Sequence, residues 1–349
     1  MSYISFQPSD YFNTVQWTGN GSTNSITGVG FQPDWVWGKS HTSGYSHQLY
    51  DAVRGATEVI RTNGTNSETL STGLTSFDSD GFTLGSNTNI NASGHTVTGW
   101  NWKANGQGSA NTDGSINTTY TSANTTSGMS IIQYSGNGSA GATIGHGLGV
   151  APKCVIIKRT DTTSNWIFGT GATGFTKFLY LNTADAETTN AGAFNNTAPS
   201  SSVITLGSWN DVNNSSGTYI CYAFAEKQGF SKFGSYAGNA NVDGPFVYTG
   251  FKPAFVVVKK IGGATANWVM TDNKISFNGK GTNNSTVLFP STSAAESDAY
   301  GLMLHSNGFK FSGSDSASAT VNGSGATYIF MAFAAAPLVS SNGVPTTAR

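Results

Sequence analysis

The sequence predicts an all-β chain built as three tandem β-sandwiches of jelly-roll, immunoglobulin-like or lectin-like type. Three observations carry that expectation. One motif order recurs three times, marked by Pro33, Pro152 and Pro253, about a hundred residues apart, which is the size of a small all-β domain. Apolar runs are short, β-branched or aromatic, and are punctuated by Gly, Asn-Gly and Asp-Gly. No stretch sustains a helical apolar period between capping residues.

The first copy spans residues 1–104. It opens with VQWTGNGSTNSITGVGFQPDWVWGK (15–39), where Pro33 leads into Trp35-Val36-Trp37 and Lys39 stands six positions after the proline. DGFTLGS (80–86) and TVTGWNWKA (96–104) complete it. Residues 105–128 hold one Ile and one Tyr among small and polar types and read as a linker. The second copy, 129–228, repeats the order with IQYSGNGSAGATIGHGLGVAPKCVIIK (132–158), SVITLGS (202–208) and TYICYAFAE (218–226). The third, 229–338, does so with GSYAGNANVDGPFVYTGFKPAFVVVKK (234–260), NGFKFSG (307–313) and TYIFMAFAA (327–335), and residues 339–349 form a tail. Lys158 and Lys259 stand where Lys39 does. The second and third copies abut, which predicts an interface between them. Runs such as Cys154-Val155-Ile156-Ile157 are apolar on both faces and suit central strands covered on both sides.

Composition narrows the function classes. Of 349 residues, 163 are Gly, Ser, Thr or Asn. Charged residues make up 10%, against roughly 25% in ordinary domains. A net charge of −1 supplies no field for nucleic acid or an anionic membrane, and no apolar run approaches the ~20 residues of a membrane span. The start, MSYISFQP, lacks the basic and apolar regions of a signal peptide. The 21 Phe, 13 Tyr and 8 Trp argue against disorder. Cys154 and Cys221 lack zinc-ligand spacing and are expected as buried free thiols.

Internal repetition offers a control on candidate sites, because a position apolar in all three copies belongs to a core. Trp35 aligns with Cys154 and Phe255, Trp37 with Ile156 and Val257, Trp100 with Tyr222 and Met331, and Trp102 with Phe224 and Phe333. These tryptophans are therefore expected in cores rather than stacked on sugars. The segment least like its counterparts is 40–61, which concentrates His41, His47, Asp51, Arg54, Glu58 and Arg61 in a charge-poor chain. His47 aligns with Trp166 and Trp268. His47, Tyr50, Asp51 and Arg54 are accordingly expected at a partner-facing surface, with an Asp51–Arg54 ion pair inside the copy as the other reading. No G-x-S-x-G, H-E-x-x-H, C-x-x-C or EF-hand loop occurs, and no pair among the scattered carboxylates is set apart for glycoside cleavage. Asp78-Ser79-Asp80 reads as an Asx-turn or a weak Ca²⁺ loop. No catalytic residue, resident metal or cofactor is expected.

A family resemblance rests on longer stretches: SHQLYDAVRGA (46–56), LTSFDSDGFTLGS (74–86), GWNWKA (99–104), FLYLNTADAETT (178–189), NNTAPSSSVITLGS (195–208), GTYICYAFAEKQGFSKFGSYAGN (217–239) and DGPFVYTGFKPAFVVVKK (243–260). These resemble a repeat family common in virion proteins of marine bacteriophages, including those of cyanobacteria and pelagic bacteria. The resemblance covers nearly all of 1–336. It implies a non-enzymatic protein on the virion exterior, made in the host cytoplasm and grouped with tail-fibre and appendage proteins that contribute to host attachment. Its implied partners are other virion proteins, a host surface glycan or receptor, and further subunits of a homotrimer. The tail-attachment domain and coiled-coil or β-helical shaft of many phage fibres are not found in this sequence, so a separately encoded tip or adaptor fits the tail-fibre reading, with a head decoration protein as the alternative. Outside the virion class, the alternatives are a free carbohydrate-binding module and a glycan depolymerase.

Overall fold

The computed structural model describes residues 6–275, 285–312, 318–336, 338–339 and 345–346. Residues 1–5 of the first copy, and 340–344 and 347–349 of the expected tail, lie outside the described residues. The chain is all-β, and its α-helices among the described residues, Thr88–Asn91, Ala191–Phe194 and Asn210–Asn213, are four residues each.

Each copy folds as two layers. In the first, Phe12–Thr18, Thr96–Trp102, Trp35–Ser40, Gln48–Asp51 and Gly55–Ile60 lie side by side in that order. The second copy sets Met129–Ser135, Thr218–Phe224, Cys154–Arg159, Trp166–Thr170 and Lys177–Tyr180 in the same order, and the third sets Ser231–Ala237, Thr327–Ala334, Pro253–Lys260 and Val269–Asp272. The strand following each marker proline thus occupies one topological place. Registers agree as well, with Trp35 opposite Trp102, Cys154 opposite Phe224 and Phe255 opposite Phe333. A smaller layer covers the outer face. It contains Asn24–Thr27, Gly81–Leu84 and Leu74–Asp78 in the first copy, Thr143–Gly145 and Val203–Thr205 in the second, and Asp243–Tyr248, Gly308–Ser312 and Leu302–His305 in the third.

Side-chain alternation along the central strands explains why they are apolar on both faces. In the strand Trp35–Ser40, Val36 points outward into a core private to its copy, together with Trp17, Phe82, Leu84 and Val97. Val155, Ile157 and Cys221 do the same in the second copy, and Val256, Val258 and Phe330 in the third. The opposite faces of all three large sheets meet in one common core that holds Trp35, Trp37, Trp100, Trp102, Cys154, Ile156, Tyr222, Phe224, Phe255, Val257, Met331 and Phe333. Trp35 stacks on Tyr222 with ring centroids 4.7 Å apart, Trp102 meets Phe333 edge-on at 5.4 Å, and Phe224 meets Phe333 at 5.7 Å, so every pair of copies is in aromatic contact. The aligned tryptophans are core residues. The three sandwiches form a closed ring, a single-chain counterpart of a three-fold oligomer.

The repeated turn motif has a mechanical reason. Buried Asn91 donates to the carbonyls of Ser22 (2.6 Å) and Gly85 (2.7 Å) while accepting from Asn20 N–H (3.1 Å). Asn213 holds Ser139, Gly207 and Asn137 in the same way, and Asn322 holds Asn241 and Asn239. The glycine opening each motif allows the close approach, since a Cβ on Gly19, Gly136 or Gly238 would lie 2.1–2.3 Å from a carbonyl oxygen of the facing turn. The aromatic before it ties to the same turn. Trp17 Nε1, Tyr134 Oη and Tyr236 Oη donate to the carbonyls of Ile90, Val212 and Val321.

The expected linker 105–128 is a correction. Tyr120–Asn124 adds a strand to the large sheet of the second copy, with Thr121 opposite Ile132. Ile116 bridges in parallel to Ile144, so the same segment covers the edge of the small layer. Sheet pairing uses backbone groups, which a Gly/Ser/Thr-rich segment supplies as well as an apolar one. The shared interface expected for the second and third copies extends to all three.

Because the central core belongs to every copy, damage to it should weaken the whole ring. Phe224→Ala or Trp100→Ala is expected to cost about 3–5 kcal/mol, measured by denaturant unfolding. Loss should come as a shift of one cooperative transition. Separate unfolding of one copy, with the other two retaining wild-type midpoints, would contradict a shared core.

Candidate functional site

The polar chemistry of this chain is gathered where neighbouring copies meet. At the first/second seam, Trp166 Nε1 donates to Arg61 O at 2.9 Å, Lys158 Nζ to Thr65 O at 3.2 Å, and Glu68 N to Thr160 O at 2.9 Å. At the second/third seam, Trp268 Nε1 donates to Tyr180 O, Lys259 Nζ to Ala184 O and Glu187 N to Ile261 O, all at 2.9 Å. At the third/first seam, His47 Nε2 reaches Phe289 O at 3.0 Å and Glu296 N reaches His41 O at 3.0 Å. The aligned lysine is therefore a seam residue. Two of the three lysines clamp a neighbour's carbonyl, and the aligned Trp/His position supplies the N–H beside it.

The structure places His47, Tyr50, Asp51 and Arg54 inside the chain, correcting the expectation of an exposed partner-facing surface. His47, Tyr50 and Asp51 are fully buried, and the Arg54 side chain is 1% exposed. Asp51 Oδ2 accepts from Arg54 Nε at 2.6 Å and from Tyr222 Oη of the second copy at 2.7 Å. Arg54 Nη1 continues to Glu68 Oε2 at 2.8 Å. Burial opposes the guanidinium charge, but Asp51, Tyr222 and Glu68 more than offset it and hold Arg54 above its usual range. Trp100 Nε1 makes the corresponding bond across the third/first seam, to Asp272 Oδ2 at 2.9 Å. Burial raises the Asp272 carboxyl above its usual range, against the bonds from Lys274 N, Trp100 and Ile275 N. Tyr50 faces the private core of the first copy and hydrogen-bonds Ser71. Enclosure follows from the ring, because the strand Gln48–Asp51 turns one face towards its own small layer and the other towards the neighbouring copies.

One constellation that sequence reasoning missed has the connectivity of a hydrolytic triad. Thr98 Oγ1 lies 2.6 Å from His41 Nε2, and His41 Nδ1 lies 2.8 Å from Glu296 Oε2. Its residues come from the first and third copies, so no local motif announces it. Thr98 has no exposed surface, and its hydroxyl also accepts from Gln16 Nε2 at 3.1 Å. A nucleophile must reach a substrate carbonyl, and this hydroxyl is sealed within the seam. The arrangement works as a clamp. The Asp78-Ser79-Asp80 turn is also structural, since Asp80 accepts from Gly28 N and Gly30 N while Asp78 accepts from Ser76 and Thr83 hydroxyls. Among the described residues, no group of three metal-ligating side chains is assembled. Cys154 and Cys221 are free, on opposite faces of their sheet, and burial pushes both thiols up. Two shallow clefts of about 330 and 400 Å³ flank the second/third junction, lined by Lys153, Glu226 and Lys232 in one and by Glu187, Lys260 and Ser324 in the other.

A family described as a domain of unknown function, DUF7483, matches residues 7–337. The chain belongs to this family. No curated protein and no solved structure matches it. The match runs through all three copies, so the DUF7483 unit coincides with the whole ring rather than with one sandwich.

On the outside of the DUF7483 ring the copies diverge. Phe246 and Tyr248, 46% and 63% exposed, pair with Lys310 and Gly308. The same register positions hold Ser25 and Thr27 in the first copy and Thr143 and Gly145 in the second. Val242, just before this strand, is also exposed, and an Asp243–Lys310 ion pair borders the aromatic pair. Sequence reading passed over these aromatics, although the alternation of Phe246, buried Val247 and Tyr248 leaves them on the solvent face of a strand whose inner face is filled.

Two outcomes are expected at the seams. Asp51→Ala should destabilise by about 3–5 kcal/mol, because it leaves an enclosed guanidinium with only the part-exposed Glu68 as counter-ion. Tyr222→Phe should cost less in that background than in the wild type, since both changes remove the same bond; additive losses in a thermal-melt cycle would contradict the network. The second outcome is a pH profile. Burial lowers Lys39, Lys158 and Lys259 from 10.5 to about 8. Between these values the unfolded chain holds more protons, so stability should rise with pH. Tyr50 and Tyr219 are pushed up to about 12 by burial, so above their usual value of 10 the folded chain holds more protons and stability should fall. Burial also raises Cys154 and Cys221 from 9.0, so above that value they act in the same direction as the tyrosines. Denaturant midpoints should climb from pH 8 to 9 and drop above 10; a flat or falling limb between 8 and 9 would contradict the buried lysines.

Proposed function

We propose that this chain is a non-enzymatic surface component of a bacteriophage virion, most closely a tail fibre or related appendage that contributes to host attachment. The motif resemblance set out above supports the virion class. The observation that carries the attachment reading is the exposed aromatic pair Phe246 and Tyr248, on a scaffold whose other copies carry hydroxyls or glycine there. Aromatic faces bind the CH surfaces of sugars, and the neighbouring Asp243–Lys310 pair supplies hydrogen-bonding groups for hydroxyls. A host surface glycan is the partner this chemistry suits.

The reading also fits how the chain spends its reactive groups. Several carboxylate, imidazole and ammonium side chains, among them Asp51, His41 and Lys259, are committed to seams, where they hold one copy to the next. A ring of three like domains has the symmetry of a homotrimer without needing one, and so suits the end of a three-fold assembly.

The test copies the first repeat onto the third. Phe246→Ser with Tyr248→Thr should leave melting temperature and incorporation into particles unchanged while lowering adsorption of phage to host cells at least about tenfold, the scale of losing two stacking contacts. Unchanged adsorption would remove the attachment face. Absence of the protein from purified particles would remove the virion reading, and polysaccharide turnover abolished by one Asp or Glu substitution would overturn the non-enzymatic one.

A further inference from the structure

Three seams close the ring, and one differs in kind. Residues 105–128 connect the first and second copies, and the chain through 225–231 connects the second and third, whereas no chain crosses between the first and third. The backbone bonding differs too. Thr65 O accepts from Ser164 N at 2.9 Å and Lys158 Nζ at 3.2 Å, and Ala184 O accepts from Ala266 N and Lys259 Nζ, both at 2.9 Å. Ser293 stands at the corresponding place, three residues before Glu296. Yet Tyr45 N turns to Ser43 O, and Lys39 Nζ to Ser40 O and Ser43 O, all within the first copy. The covalently open seam therefore lacks the paired clamp of the other two.

Two imidazoles stand in its place. His47 Nδ1 accepts the indole N–H of Trp37 at 2.8 Å, which leaves Nε2 to carry the proton donated to Phe289 O. A second proton on Nδ1 breaks the Trp37 bond and encloses a cation. Lys39 is the charged group that faces it, Phe289, just past the strand Ser285–Val287, offers a carbonyl, and Asn63 offers an amide oxygen that is already bonded to His47 N. Burial, then Lys39, push His47 well below 6.5, against the Phe289 carbonyl. A folded-state value below the unfolded one means that the contribution of His47 is present above pH 6.5 and is lost as pH falls beneath it. The other titratable groups of this seam are His41, Glu296 and Asp272. His41 Nδ1 faces Glu296 Oε2 at 2.8 Å, but Glu296 is 26% exposed, and a partly solvated pair contributes little beside the cost of an enclosed charge.

We propose that the ring is a clasp whose first/third seam opens on acidification through His47, while the first/second and second/third seams stay shut. Three equivalent amides report on it: Glu296 N, Glu68 N and Glu187 N, each bonded across one seam. Amide-resolved hydrogen exchange on the full chain at pH 7.5 and 5.0, corrected for intrinsic rates, should show protection at Glu296 falling at least about tenfold while Glu68 and Glu187 change less than about twofold. Equal changes at all three amides, or none at Glu296, would overturn the proposal. His47→Gln keeps an acceptor and a donor without the titration, so the selective loss at Glu296 should vanish in it. Trp37→Ile with His47→Trp copies the Ile156/Trp166 pairing of the second copy and serves as the second variant. A response at Glu296 that persists in either one assigns the switch elsewhere.

Discussion

The structure depends on a single apolar contact region, the aromatic core in which the inner faces of three sheets meet. A buried aromatic side chain removes 150–250 Å² from water, worth about 4–6 kcal/mol at ~25 cal/mol per Å². Trp35, Trp37, Trp100 and Trp102 all point there from one copy, and Phe224, Phe255 and Phe333 meet them from the other two. Area outweighs polarity at this place: among the described residues the indole N–H groups of Trp35 and Trp102 find no acceptor, a loss of about 1–3 kcal/mol each that the burial exceeds. A sandwich standing alone would leave its inner face wet, so none of the three is a complete folding unit. The span of the family match agrees with that.

Around this core the sparse charges have one recurring task. In a chain with 17 Lys and Arg, three lysines sit fully buried at equivalent strand ends. An ammonium group there satisfies carbonyls that the sheets leave open, and at two seams it reaches the neighbouring copy. The first copy departs from this scheme by a compensated exchange. Where the others pair a smaller aliphatic residue with Trp, as in Ile156/Trp166 and Val257/Trp268, it pairs Trp37 with His47 and keeps both the volume and the N–H that crosses the seam.

Much of this was legible in the sequence because repetition exposes what every copy needs. Aligned apolar positions gave the core, and the prolines gave the central strands. The alignment of His47 with two tryptophans marked the right place but not its surroundings, since its partner Phe289 lies 242 residues away and no local pattern encodes that contact. Asp51 and Arg54 read as surface charges because isolated charges are exposed in most proteins; their burial requires Tyr222 and Glu68, which arrive through ring closure. Residues 105–128 misled for a different reason. Composition reports what side chains can bury, whereas Tyr120–Asn124 contributes its backbone, and the single Ile116 both bridges to Ile144 and enters the second copy's core. The Thr98–His41–Glu296 clamp, split between the two ends of the chain, had no signal to find.

A three-fold ring drawn from one gene also frees its faces from one another. In a homotrimer any altered residue appears at three places, so a change that improves one contact must be tolerated at all of them. Here Ser25, Thr143 and Phe246 occupy one structural position and are separately encoded. The chain can keep two sides inert and vary the third, which gives an outwardly symmetric scaffold a direction.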